Sequence, residues 1–204
     1  LEFPKPDRPV AKVVSTQFAN EDAREERNEA QVVMDLADIR PGMTVADIGA
    51  GEGYYTVRLA QRVGATGRVL AQDIIPDVIE RLADRVARER LDNVSLKLGA
   101  VDDPRLPAAS FDRVFMVHMY HEIGEPYAFL WRLRPALRAG GQVIVVDGDR
   151  PIADHGTPFR LLVCEFEAVG YKLVSYDDKQ HAGGYLARFV PEGKRPEPDA
   201  ITVC

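Results

Sequence analysis

The stretch Val45-Ala46-Asp47-Ile48-Gly49-Ala50-Gly51-Glu52-Gly53 decides the fold. Its apolar beginning predicts a strand over Thr44 to Ile48, and the apolar spacing that follows predicts a helix over Glu52 to Val63. The three glycines permit backbone conformations with positive φ and let main-chain N–H groups approach a ligand closely. A strand, a glycine-rich loop and a helix in this order indicate a ligand-binding α/β unit, unless the loop is an ordinary tight turn.

Short apolar segments alternate with amphipathic ones through the rest of the chain. The further strands are predicted at Arg68 to Gln72, Val94 to Leu98, Arg113 to Val117, Gln142 to Asp147, Tyr171 to Tyr176 and Gly184 to Val190. The helices are predicted from Glu21 to Pro41-Gly42, from Pro76 onward, over Glu125 to Ala139 and over Pro158 to Val169. Within the third of these, Pro135 should bend or shorten the helix, because proline lacks a backbone donor.

These segments predict the fold class. Several strands lack polar alternation, which is typical of parallel strands covered on both faces. Two final strands joined by a short loop must run antiparallel to each other. We therefore predict an α/β fold, a Rossmann-like doubly wound sheet of about seven strands, mostly parallel with an antiparallel C-terminal strand.

The length and composition predict one domain with two flanking segments. With 204 residues, of which 46% are apolar and 28% charged, the chain can bury one substantial core. Residues 1–20 contain three prolines and no sustained periodicity, so we expect an extended N-terminal arm, with an ordinary frayed end as the equal alternative. Residues 21–190 are predicted to form the folded domain, and residues 191–204 an irregular C-terminal tail.

Composition also bears on partners and location. A net charge of −6 argues against nucleic acid, and no apolar run reaches the roughly 18 to 20 residues that cross a bilayer. We therefore predict binding neither to nucleic acid nor to a membrane, and we leave the oligomeric state open. Cys164 and Cys204 do not resemble a disulfide framework, so we expect a reducing, cytoplasmic compartment. The first residue is Leu1 rather than methionine, which leaves open an N-terminal signal ahead of it.

Acidic residues near the glycine loop indicate its ligand. The spacing G-x-G-x-G differs from the G-x-G-x-x-G of dinucleotide enzymes. Asp47 and Glu52 would repel a pyrophosphate but attract the ammonium and the sulfonium of S-adenosylmethionine. Asp73, at the end of the next strand, can accept hydrogen bonds from both hydroxyls of a ribose, unless it is simply an exposed turn acid. The pattern therefore favours S-adenosylmethionine over NAD.

Three segments resemble motifs of the class I S-adenosylmethionine-dependent methyltransferases. Val45 to Gly53 resembles their first motif, Val69-Leu70-Ala71-Gln72-Asp73 their second, and Leu137 to Asp147 the motif that leads into their fifth strand. The resemblance covers about residues 30 to 190. It implies a methyl transfer that yields S-adenosylhomocysteine.

The resemblance also implies which residues bind the cofactor. Its amino-acid end would be held by Asp47, Gly49, Gly51 and Gly53, and its ribose by Asp73. Many relatives have an acid after the third strand that contacts the adenine. Ala100 stands at that position here, so Asp102, or the backbone of Val101, would take over this contact.

Acid–base groups are densest in His118-Met119-Tyr120-His121-Glu122, directly after the fourth strand. A neutral imidazole can remove a proton near neutral pH, so His118 and His121 are candidate general bases. His118, nearer the strand end, is also a candidate cofactor contact. The segment resembles the LHH run of the ubiquinone and menaquinone C-methyltransferases and their small-molecule relatives, in which the corresponding histidine can be structural.

The acceptor is the least determined part of the prediction. No Asn-Pro-Pro-Tyr or Asp-Pro-Pro-Tyr tetrapeptide is present, and we favour a small-molecule acceptor. However, Gly53-Tyr54-Tyr55-Thr56 resembles the isoaspartyl protein methyltransferases, so a protein acceptor stays open. Two further hypotheses stay open as well, a non-catalytic S-adenosylmethionine-binding sensor or partner protein and a nicotinamide-dependent oxidoreductase.

A metal-assisted reaction would need several ligands gathered at the site. The loop Asp147-Gly148-Asp149-Arg150, together with Asp154 and His155, offers such groups. We interpret it as a solvated loop and predict no metal site.

Overall fold

Seven strands of the described residues form one sheet. The computed structural model describes residues 1–13, 21–178 and 182–204, so part of the predicted N-terminal arm, residues 14–20, lies outside the described residues. The strands are β1 (Thr44–Ile48), β2 (Arg68–Asp73), β3 (Val94–Leu98), β4 (Phe111–Val117), β5 (Leu137–Asp147), β6 (Tyr171–Asp177) and β7 (Tyr185–Pro191). Their order across the sheet is β3-β2-β1-β4-β5-β7-β6.

The strand directions confirm the predicted fold class. β1 to β5 pair in parallel with their neighbours, whereas β7 runs antiparallel to both β5 and β6. The chain moves outward from β1 to β3 and then returns to place β4 on the other side of β1. The sheet therefore has its switch point between β1 and β4, where ligands bind in open α/β folds.

Six α-helices accompany the strands within the described ranges. They are α1 (Glu21–Glu26), α2 (Glu29–Leu36), α3 (Tyr54–Val63), α4 (Pro76–Arg88), α5 (Pro126–Leu133) and α6 (Phe159–Ala168). The single helix predicted ahead of β1 is two helices, because Asn28 between them adopts the left-handed conformation at φ +51°. Asparagine tolerates that conformation better than most residues.

The helix predicted over Glu125 to Ala139 is wrong in its last third. α5 ends at Leu133, a single 3₁₀ turn covers Arg134–Ala136, and β5 already begins at Leu137. The cause is Pro135, which has no N–H to donate to the helix and whose ring clashes with the preceding turn. The residues after it pair with β4 instead, beginning with Leu137 opposite Phe111.

Both faces of the sheet are covered. In β4, Val114 and Met116 pack with residues of α5 and α6, whereas Phe115 points to the other face and packs with α2 and α3. All three side chains are fully buried. This double burial explains why the strand lacks polar alternation.

The described part of the N-terminal arm, residues 1–13, packs against the domain. The Arg8 guanidinium donates two hydrogen bonds to the Glu165 carboxylate of α6, at 2.9 and 3.1 Å. The two side chains are only 4% and 1% exposed, and the Tyr120 hydroxyl donates a further bond to Glu165 at 2.8 Å. Beyond this anchor, the Ala11 N–H donates to the carbonyl of His121 at 3.0 Å.

The C-terminal tail is irregular but packed, and it corrects the expectation for the cysteines. Cys164 of α6 and Cys204 form a disulfide, although they are 40 residues apart along the chain. The tail returns over the domain, burying Ile201, and the Cys204 N–H donates to the Tyr127 hydroxyl at 2.9 Å. Only this tertiary packing brings the thiols together, so the sequence pattern did not reveal the bond.

The disulfide also bears on location. Disulfides are typical of oxidising compartments. The bond between Cys164 and Cys204 therefore argues against the predicted cytoplasmic location, which stays a prediction. Among the helices of the described residues, none has the length and apolarity needed to cross a bilayer.

Candidate cofactor and active site

A cavity lies beyond the carboxyl ends of β1 and β4, at the switch point of the sheet. Its lining comes from the arm, from α1, α3 and α5, from the ends of β1, β2 and β4, and from the loops after β1, β3 and β4. The lining residues include Val13, Glu21, Arg24, Asp47, Gly49, Gly51, Tyr54, Gln72, Asp73, Ala100, Val101, His118, Met119, Glu122 and Phe129. Six of the residues predicted from sequence therefore meet in one place: Asp47, Gly49, Gly51, Asp73, Val101 and His118.

The glycine loop has backbone conformations that require glycine. Gly49, Gly51 and Gly53 have φ values of +68°, +57° and +93°. A Cβ on Gly49 would lie 3.0 Å from the Met119 side chain, so a larger residue would close this end of the cavity. Gly53 does not line the cavity. It precedes α3, and a Cβ there would lie 2.6 Å from Leu82 of α4, which gives it a packing role.

Asp47 lies buried at the floor of the cavity. It is 3% exposed, and its Oδ2 accepts a hydrogen bond from the Thr56 hydroxyl at 2.7 Å. Burial raises the pKa of Asp47 to about 7, helped by the nearby charge of Asp73 and opposed by the Thr56 bond. A cation bound next to Asp47 would favour the charged form of this carboxyl, so binding of a cationic ligand would release its proton.

Asp73 and Gln72 bring the end of β2 into the site. One Asp73 oxygen accepts the Gly51 N–H at 3.1 Å, and the other accepts the N–H groups of Ile74 and Ile75 at 2.8 and 3.2 Å. Gln72 accepts the Gly49 N–H at 3.3 Å through Oε1. Its Nε2 is buried and has no hydrogen-bond partner among the described residues. A buried donor without a partner in a ligand-binding cavity is suited to an acceptor on the ligand.

The loop after β3 contributes Ala100 and Val101 to the cavity but not Asp102. The Asp102 carboxylate instead accepts a hydrogen bond from Arg132 of α5 at 2.7 Å. This ion pair holds the carboxylate away from the cavity. Of the two candidates for the adenine contact, the structure therefore brings only Val101 to the site.

The two candidate bases differ in position. His118 adopts φ +51° and lines the cavity. Its Nε2 lies 2.6 Å from the Ala182 carbonyl, and its Nδ1 lies 3.7 Å from Asp147. His121 does not line the cavity: it is 2% exposed, with Nδ1 2.9 Å from Asp147 Oδ2. Both rings are thus held by protein groups, and a role as general base stays a prediction for each.

Asp147 corrects the expectation of a solvated loop. Its side chain is fully buried and accepts hydrogen bonds from His121, from the Thr157 hydroxyl and from the Gly148 N–H. Burial alone would raise its pKa, but the imidazoles of His118 and His121 and the Thr157 bond outweigh burial and lower the pKa to about 2. Asp147 is therefore a permanent carboxylate beneath the two histidines.

Sequence reasoning missed several residues of the cavity. Among the described lining residues, Arg24 is the only lysine or arginine; its guanidinium lies 4.0 Å from the centre of the Tyr54 ring and donates to Glu29. Glu21 of the same helix also lines the cavity. The helix that carries Arg24 and Glu21 precedes β1, so no motif in the glycine loop points to it.

The residues present fit S-adenosylmethionine. Carboxyl groups stand at two separate points of the cavity, Asp47 and Asp73, and this spacing is suited to an ammonium at one point and a pair of hydroxyls at the other. The cavity also holds a cation at Arg24, an unpartnered amide donor at Gln72 and a glycine at the one loop position where a side chain would meet Met119. This set of groups is complementary to a ligand in which a zwitterionic amino acid is joined to a nucleoside.

The sequence comparison agrees with this site. Residues 45–141 match the family described as "Methyltransferase domain". Residues 45–141 are a class I methyltransferase domain. Methyltransferases of this class use S-adenosylmethionine, as the resemblance of the loop and the second motif implied.

Curated relatives resemble parts of the methyltransferase domain. A protein-L-isoaspartate O-methyltransferase from Methanothrix thermoacetophila is 32% identical over 57% of this chain and 53% of its own length. The aklanonic acid methyltransferase of a Streptomyces strain is 31% identical over 66% of this chain and 59% of its own length. This chain therefore spans little more than half of these relatives.

A solved structure supports the fold. A protein from Aquifex aeolicus described as a SAM-dependent methyltransferase superposes with a TM-score of 0.71 at 22% identity, covering 84% of this chain and 97% of its own. At this identity the similarity concerns the fold of the methyltransferase domain and not its acceptor.

Proposed function

We propose that this protein binds S-adenosylmethionine at the Gly49–Gly53 loop and transfers its methyl group to a small molecule. One observation carries the proposal: the glycine loop, Asp47, Asp73, His118 and Glu122 border the same cavity. When bound, the cofactor supplies an electrophilic methyl group on a sulfonium, and S-adenosylhomocysteine is the product.

Each residue has a task that its position supports. Asp47 would pair with the ammonium, Arg24 with the carboxylate of the methionyl group, and Asp73 with the ribose hydroxyls. Val101 would contact the adenine through its exposed side chain or backbone. These contacts orient the reactants and exclude water, which contributes much of the rate in reactions that need no covalent enzyme intermediate.

The acceptor end of the cavity favours a small molecule. It is bordered by Val13 of the arm, by the buried Ile123 and Phe129, and by His118 and Glu122. These residues mix apolar walls with a few polar groups, as is usual for sites of small ligands. The aklanonic acid enzyme among the relatives acts on a small molecule by its name, whereas the isoaspartate enzyme keeps a protein acceptor as the second candidate.

Calorimetric titration tests the cofactor, and release of S-adenosylhomocysteine tests the acceptor. We expect binding of S-adenosylhomocysteine and no binding of NADH. In the second assay, phenols, carboxylic acids and quinols are compared with a peptide that contains isoaspartate. Turnover of the peptide alone would overturn the small-molecule assignment. Tight binding of NADH without response to S-adenosylhomocysteine would overturn the proposal as a whole.

Binding without turnover of any acceptor would instead favour a sensor or partner protein. A His118→Gln variant helps to separate the two cases. Loss of turnover with an unchanged Kd for S-adenosylhomocysteine would support His118 as the base of an enzyme, whereas a raised Kd without any turnover in the wild type would support a cofactor contact in a binding protein.

A further inference from the structure

We propose that His121, Glu122 and His155 form a binding site for a divalent transition-metal ion at the edge of the cavity. One ligand atom of each residue lies within 4.8 Å of the other two. Small side-chain rotations can bring atoms at this separation onto one ion. Two imidazoles and one carboxylate on one side of an ion are a donor set that binds zinc, iron(II) and neighbouring transition metals.

His121 is oriented as a metal ligand would be. Its Nδ1 lies 2.9 and 3.2 Å from the two oxygens of Asp147, which leaves Nε2, on the other side of the ring, for an ion. Asp147 is itself fixed by the Thr157 hydroxyl at 2.7 Å and the Gly148 N–H at 2.9 Å. A carboxylate behind the imidazole fixes the tautomer and raises the basicity of the nitrogen that binds metal.

His155 provides an independent observation. Its Nδ1 is buried and has no hydrogen-bond partner in the part of the chain that the structure describes. Its backbone is left-handed, at φ +56°, directly after the 3₁₀ turn Ile152–Asp154, and its ring meets the His121 ring edge to face with centroids 5.6 Å apart. Buried nitrogens without partners are rare in folded proteins. A bound ion would satisfy the imidazole.

Charge and coordination number fit a divalent ion. Glu122 supplies an anionic ligand, and the Asp147 carboxylate lies directly behind the His121 imidazole. The imidazoles favour zinc or cobalt over magnesium or calcium, which prefer sites made only of oxygen. Three protein ligands leave coordination positions open.

The open positions lie beside the methylation site, because Glu122 lines the cavity as well as belonging to the cluster. An ion here would hold an oxygen or nitrogen of the acceptor. This role rests on the proposed function, whereas binding of the ion does not.

Titration with Co²⁺ tests the site, because cobalt held by imidazoles and a carboxylate absorbs visible light. We expect one equivalent to bind to the wild-type protein and to be displaced by Zn²⁺ but not by Mg²⁺. His155→Asn removes the imidazole yet tolerates the left-handed backbone, and Glu122→Gln removes the charge. Each should weaken Co²⁺ binding at least about tenfold.

Asp154→Asn is the matched control, since Asp154 is the exposed neighbour of His155 and lies outside the cluster. Its Co²⁺ affinity should equal that of the wild type. Absence of stoichiometric Co²⁺ and Zn²⁺ binding would overturn the proposal, as would binding that both cluster variants retain. An equal loss of Co²⁺ affinity in Asp154→Asn would also overturn the proposal, because it would show that the ion binds in the acidic loop around Asp154.

Calorimetry on the same proteins in chelator-treated buffer measures binding of S-adenosylhomocysteine without metal, and it separates the metal site from the proposed function. Cofactor binding without metal binding refutes only the metal site, and metal binding without cofactor binding refutes only the proposed function. Circular dichroism and the unfolding temperature of each metal-free variant show whether it has folded.

Discussion

Protonation of Asp47 should control the affinity for S-adenosylhomocysteine. Asp47 lies at the cavity floor with a pKa raised to about 7, mainly by burial. Only its charged form attracts an ammonium, so binding at low pH must first ionise the carboxyl. With this pKa the ionised fraction is roughly 1% at pH 5 and about three quarters at pH 7.5. We therefore expect the Kd to rise roughly 80-fold from pH 7.5 to pH 5, equivalent to about 2.5 kcal/mol.

Calorimetry over this pH range, on the wild type and on Asp47→Asn, measures the effect. The variant keeps the shape of the side chain without its ionisation, so its Kd should stay nearly constant with pH. Asp73 and Arg24, the charged groups that act on Asp47, and Glu21 and Glu122 in the cavity lining are present in both proteins. The difference between the two curves therefore belongs to Asp47. Equal slopes, or tighter wild-type binding at pH 5, would refute the reasoning.

Three substitutions test other parts of the site and the fold. Asp73→Asn should raise the Kd for S-adenosylhomocysteine about 10- to 100-fold, because a charged acceptor for the ribose hydroxyls is lost; an unchanged Kd by calorimetry would remove Asp73 from the site. Gly49→Ala should lower the free energy of unfolding by about 1 to 3 kcal/mol, because its φ is +68° and its Cβ would lie 3.0 Å from Met119. Urea unfolding that matches the wild type would mean that the loop relaxes without strain. Cys204→Ser should lower the same free energy by about 4 kcal/mol, since the bond to Cys164 closes a loop of 40 residues. Insensitivity of wild-type stability to dithiothreitol would count against that bond.

The sheet could be predicted because its signals are local. Each strand is a short apolar run between turn residues, and each bound predicted for β1 and β3 coincides with the structure. β4 and β5 begin two and five residues earlier than predicted, at Phe111 and Leu137. Pairing between these two strands extends them, with Leu137 opposite Phe111, and pairing across 26 residues leaves no periodic pattern in either segment.

The site could be predicted only where one loop carries the information. Gly49, Gly51 and Asp47 follow from the glycine loop, and Asp73 from the end of the next strand. The pairing of Asp102 with Arg132 depends on a helix that is distant in sequence. The same is true of Arg24, which reaches the cavity from α1, and of the buried carboxylate at the end of β5. Composition and spacing do not contain such contacts, because they arise only when the elements pack.

The anchor at Arg8 links the arm to the interior of the domain. Removing the guanidinium would leave the buried Glu165 carboxylate without its cation, a change that typically destabilises a protein by about 3 to 5 kcal/mol. The same arm contributes Val13 to the lining of the cavity. Substitutions at residues that follow the anchor can therefore alter the cavity wall, whereas substitution of Arg8 itself lowers the stability of the fold. In engineering terms, residues 9–13 are the segment to vary, because substitutions there leave the Arg8–Glu165 pair in place.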